Sequence, residues 1–64
     1  MSTQRLTDIT VRLVRETERA VLVTDGDLSD AVWLPKSQVE VEEARNGLVD
    51  ITLPEWLAIE RGLV

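Results

Sequence analysis

Two acidic groupings are the parts of this sequence whose residue types and spacing come nearest to chemistry. Asp25-Gly26-Asp27-Leu28-Ser29-Asp30 begins as a calcium-binding loop does, with oxygen ligands at its first, third and fifth positions. It departs from that pattern where the pattern is most demanding: the sixth position is Asp30 instead of glycine, and the twelfth is Lys36 where a bidentate glutamate belongs. The segment reads as an acidic hairpin turn, and no metal site is expected. Glu40, Glu42 and Glu43 form the second grouping. Paired carboxylates perform acid–base work only where a pocket separates their pKa values. Alternation with Val39 and Val41 instead puts these glutamates on the solvated face of a strand. The chain has no His and no Cys, which removes the commonest general base, the best nucleophile and the usual zinc and haem ligands. No glycine-rich phosphate loop is present, so the sequence predicts a protein that is not an enzyme and carries no cofactor.

Recognition chemistry is better represented. Trp33 and Trp56 are the only aromatic rings, and an exposed Trp anchors interfaces or stacks on a base. A small domain without Phe or Tyr also needs bulk in its core. Trp56 is accordingly expected inside, while Trp33 stands open between the core and the face opposite Val32 and Leu34. Leu34-Pro35-Lys36-Ser37-Gln38 is the most distinctive segment. Pro35 lacks an N–H and ends a strand or sits at an edge. Ser37 and Gln38 then satisfy freed backbone groups, and Lys36 is left projecting. The segment is a structural corner between strands or a binding loop; Trp33, Pro35, Lys36, Ser37 and Gln38 are the candidate binding residues.

The elements that position these residues must fit into 64 residues, which allows one small domain of marginal stability. With no Cys to form disulfides, stability comes from packing, oligomerisation or a partner. Seven basic against twelve acidic side chains give a net charge of -5, which counts against gripping phosphate backbones. Arg12, Arg15 and Arg19 can still gather on one hairpin as a local basic stripe. No apolar run approaches the roughly 18 residues of a membrane span, and the start Met1-Ser2-Thr3-Gln4-Arg5 is unlike a signal peptide. A cytoplasmic protein is expected.

Residues 1–7 read as a flexible start, with Leu6 able to join the first strand, and residues 8–64 as the domain. Ile9-Thr10-Val11-Arg12-Leu13 alternates as a half-buried strand does. After the polar break at Glu16-Thr17-Glu18, residues 19–24 form a continuous apolar run, short enough for a strand buried on both sides. Asp25-Gly26-Asp27 is a tight-turn signal. Residues 31–34 make a third strand, 39–42 a fourth, and Leu48–Thr52 a fifth behind the hairpin pair Asn46-Gly47. Thr52-Leu53-Pro54-Glu55 offers a capping box, and Gly62 a stop. They predict a helix over about 53–61 that docks on the sheet through Trp56, Leu57 and Ile59. The fold class is mainly β: a five-stranded antiparallel curved sheet, or a partly closed SH3-like or OB-like barrel, with one C-terminal helix.

The strings Val32-Trp33-Leu34-Pro35-Lys36-Ser37-Gln38-Val39-Glu40-Val41 and Leu53-Pro54-Glu55-Trp56-Leu57-Ala58, with Ala20–Val23 before and Gly62-Leu63 after, resemble small proteins encoded in phages, prophages and other mobile elements. The resemblance covers about residues 19–64 and implies a compact, non-enzymatic β-module in a phage or bacterial setting. It carries over no ligand-binding residue. The expected function is a protein-binding module, such as a phage accessory factor or an inhibitor of a host defence complex, whose acidic surface suits a basic partner. A homo-oligomer is compatible with this. The alternative is a single-stranded nucleic-acid binder using Trp33, Lys36 and the arginines of the first hairpin.

Overall fold

Alternating apolar residues build a five-stranded antiparallel sheet in the computed structural model, which describes residues 5–63. The strands are β1 (Leu6–Glu16), β2 (Ala20–Thr24), β3 (Val32–Pro35), β4 (Glu40–Glu43) and β5 (Leu48–Pro54), followed by the helix α1 (Glu55–Glu60). Their order is β3-β2-β1-β5-β4. β3 and β4 do not pair, so the sheet stays open and no barrel closes. All five expected strands are present, and β1 runs further in both directions than its alternation suggested. Of the segment 1–7 expected to be flexible, residues 1–4 lie outside the described residues, while Leu6 and Thr7 pair with Pro54 and Leu53.

Strand side chains point alternately to the two faces. Val11, Val21, Val23, Leu34, Ile51 and Leu53 fill the inner face, and Leu57, Ala58 and Leu63 close over it. Each fully buried aliphatic side chain of this kind contributes about 1.5–3 kcal/mol. The core holds no aromatic ring.

The connections follow local chemistry. Asn46 and Gly47 both take positive φ, 55° and 78°, and the Leu48 N–H donates to the Arg45 carbonyl at 2.9 Å. This is the type I′ turn whose twist matches the strands it joins. The tight turn expected at Asp25-Gly26-Asp27 does not form, because Gly26 does not adopt positive φ. A longer connection replaces it, with a 3-10 turn at Leu28–Asp30. The buried Thr24 organises its start: the hydroxyl donates to the Asp27 carbonyl at 2.7 Å and accepts from the Gly26 N–H at 3.1 Å.

The helix differs from expectation at its beginning. Thr52 and Leu53 belong to β5, and the Thr52 hydroxyl donates across the sheet to the Asp8 carboxylate, so no capping box exists. Pro54 is the N-cap, with no side-chain cap. The ladder takes these backbone groups, Thr52 opposite Glu40 and Leu53 opposite Thr7, and the Glu55 N–H donates to the Arg5 carbonyl at 2.7 Å, so the two donors a capping box would serve are already bonded. The end is as expected. Gly62 has φ 75°, its N–H donates to the Ile59 carbonyl, and the Leu63 N–H donates to the Ala58 carbonyl at 2.8 Å. These are the paired bonds of a Schellman motif, with Leu63 as its buried apolar contact. Of the three expected anchors only Leu57 docks, at 2% exposed; Trp56 is 46% exposed and Ile59 58%. A six-residue helix makes fewer than two turns and presents one narrow stripe to the sheet.

Candidate functional site

The residues of opposite parity to the core form the outer face, which has two regions of different character. Across β1, β2 and β3 the register sets Arg15 opposite Leu22, and Leu22 opposite Trp33. Strict alternation from Arg12 turns Arg15 inward. The register shifts between Leu13 and Arg15, however, making Val14 the extra residue of a β-bulge, so Arg12 and Arg15 share the outer face. Trp33 is 44% exposed at the end of this row, which answers the question the sequence left open.

Beside Trp33 stands the corner made by Pro35 and the 3-10 turn Lys36–Gln38. The Lys36 N–H donates to the Arg19 carbonyl at 2.8 Å. Bonded and non-bonded pairs alternate in an antiparallel ladder, so that rung fixes the parity of the edge: Trp33 and Pro35 turn their backbone groups away from β2. Proline has no N–H to leave unpaired there. The Trp33 carbonyl accepts from Arg61 Nε at 3.2 Å.

The Lys36 ammonium does not project freely, as the sequence suggested. It is paired with the Glu16 carboxylate, which the long β1 brings alongside. Ser37 and Gln38 are exposed. Pro35, Lys36 and Ser37 line a shallow groove of about 520 Å³ together with Glu18 and Arg19. The structure therefore gathers three of the five candidate residues in one groove, with Trp33 on the adjoining face and Gln38 at the far end of the turn. Arg19 belongs to this groove, so the three arginines do not form one stripe.

The second region spans β1, β5 and β4. One row holds Asp8, Thr52 and Glu40, and the next Thr10, Asp50 and Glu42. The Thr10 hydroxyl donates to the Asp50 carboxylate at 2.6 Å. Glu42 stands directly opposite Asp50, and like charges so placed destabilise a sheet. The ion pairs among the described residues are Lys36–Glu16 and Arg61–Glu60, neither of which serves this region. No three acidic side chains among the described residues converge to hold a metal ion. Asp25, Asp27 and Asp30 of the calcium-like string are exposed.

The hydroxyl–carboxylate pairs of the second region, Thr10 with Asp50 and Thr52 with Asp8, lie across rungs of an open sheet face. What the two regions offer is contact chemistry: a guanidinium, an aliphatic and an indole in one row, and carboxylates in the other. Sequence reasoning grouped Trp33 with the arginines of the first hairpin, but it missed Leu22 between Trp33 and Arg15 and the bulge that turns Arg15 outward, because a bulge leaves no mark on the period-two pattern. It missed Arg61 because that contact joins the chain's last turn to an edge strand. No helix among the described residues is long and apolar enough to cross a membrane. Comparison with family models, curated proteins and solved structures returns no match for this chain.

Proposed function

We propose that this chain is a non-enzymatic protein-binding module, working through Trp33 and the corner from Pro35 to Gln38. The observation that carries the reading is the placement of its rings. The core is closed with aliphatic side chains, while both tryptophans are spent on the surface, at 44% and 46% exposed. Indole anchors surrounded by polar side chains are the usual centres of protein interfaces. The 3-10 turn beside Trp33 presents its side chains at small entropic cost. A cytoplasmic role in a phage or other mobile element, as an accessory factor or an inhibitor of a host defence complex, is the setting suggested by the W-L-P-K-S-Q and P-x-W-L-A strings alone.

Single-stranded nucleic-acid binding is the second reading, favoured by Arg12 and Arg15 sharing the face of Trp33. A strand laid along that face would meet Asp8, Asp50, Glu40 and Glu42 on the neighbouring strands, and this weighs against it. The test sets immobilised protein against its Trp33→Ala and Lys36→Glu variants in a bacterial lysate. A protein retained by the parent and lost from folded Trp33→Ala is expected. DNA is titrated in parallel at about 0.15 M salt. Micromolar binding of single-stranded DNA that weakens steeply with added salt would overturn the proposal in favour of the second reading.

A further inference from the structure

The sheet has two edges, and they differ. At β3 the outward groups belong to Trp33 and Pro35; the proline offers no donor and the Trp33 carbonyl is bonded to Arg61 Nε, which leaves the Trp33 N–H and the Pro35 carbonyl facing outward on this short edge. At β4 the Ala44 N–H donates to the Leu48 carbonyl at 3.1 Å, which sets the parity of the ladder. Glu40 and Glu42 therefore bond to β5, while Val41 and Glu43 turn their N–H and C=O groups away from it. Among the described residues no bond to another turn or loop occupies them. All four β4 residues are exposed.

We infer that the β4 edge accepts an extended basic segment of another protein as a sixth strand. The backbone groups of Val41 and Glu43 supply the rungs, as in other cases of strand addition. The side chains set the partner's composition. On the outer face Glu40 and Glu42 lie beside Asp50 and Asp8, so alternate residues of the incoming strand must be Lys or Arg. On the other face Val41, 37% exposed, asks for an apolar residue between them. A second copy of this chain is disfavoured, since pairing β4 with β4 sets glutamate against glutamate. Nucleic acid is rejected by the same charges. The inference is independent of the Trp33 surface and stands or falls by itself.

The probe is a capped seven-residue peptide alternating Lys and Val, titrated into the full chain and followed by amide NMR and hydrogen exchange. Binding should slow exchange at Val41 and Glu43 and leave the amides of β3 unaffected. Methylating alternate peptide nitrogens on the pairing edge should weaken binding about tenfold or more. Glu42→Lys should do the same while keeping the native spectrum, and Trp33→Ala should change nothing. Equal affinity for the methylated peptide would mean charge attraction alone and overturn the inference. So would binding that leaves Val41 and Glu43 exchanging freely, or self-association of the parent through β4.

Discussion

Truncating Leu57 and Ile59 in turn measures what holds α1 to the sheet. Both changes to Ala remove three carbons from the same six-residue helix, and the two sites differ in burial, 2% against 58% exposed. At about 0.8 kcal/mol per buried carbon the transfer loss at Leu57 is about 2.4 kcal/mol. The void left between α1, β5 and β1 raises it to about 3 kcal/mol. At Ile59 water fills the space, and the better helix propensity of Ala returns a few tenths of a kcal/mol, so the net change stays within about 0.5 kcal/mol. A domain of 64 residues has about 3–10 kcal/mol in reserve. Leu57→Ala should thus lower Tm by about 12–24 °C, and Ile59→Ala by less than about 4 °C. Thermal unfolding followed by far-UV circular dichroism reads both, with an osmolyte added if Leu57→Ala is already near its limit. Equal losses, or a larger loss at Ile59, would refute the assignment of Leu57 as the anchor.

Gly62→Ala should cost about 1–2 kcal/mol, entirely from the backbone, because φ is 75° and a Cβ there meets nothing within 4 Å; urea unfolding with an unchanged m-value checks this. Glu42→Lys should stabilise the domain by about 0.2–1 kcal/mol by replacing a like-charge pair opposite Asp50 with an opposite one. In about 1 M salt that gain should largely vanish, as differential melting will show. Pro35→Thr combined with Arg61→Ala reopens the β3 edge, and sedimentation should then depend on concentration where that of the parent does not.

The strands were legible because their signals are local and repeated. Val49 and Ile51 alternate as a one-sided sheet requires, and Asn46-Gly47 demands the turn it makes. Gly62 was equally direct. The run at residues 19–24 marked a strand but not its faces: it reads as buried on both sides, whereas only Val21, Val23 and Thr24 are buried and Leu22 lies half-buried on the outer face. The other failures share a different origin: each is a contact between distant segments that outweighs a local preference. Thr52 matches a capping box in four residues, yet its hydroxyl finds Asp8, forty-four positions away. Lys36 looks free until β1 brings Glu16 alongside. Trp56 is the bulkiest candidate for the core, but the inner face is already filled by branched aliphatics, and a helix beginning at Glu55 points Leu57 and Ala58 inward in its place. The candidate residues from Trp33 to Gln38 were visible as a string. Their division between an outer face and a groove depends on the parity of the β2–β3 ladder, which no single residue announces.

The inequality of the two sheet edges has a consequence for assembly. A cross-β fibril grows because each added unit presents a fresh edge equivalent to the one it consumed. In this chain a unit that joined through β4 would present β3, where Pro35 and the guanidinium of Arg61 stand. Growth would be disfavoured at the first addition, since that edge keeps a single outward N–H, that of Trp33. In the language of polymers the inferred strand addition would give the domain a valence of one: a chain stopper, occupying the exposed strand of another protein without becoming the template for a third.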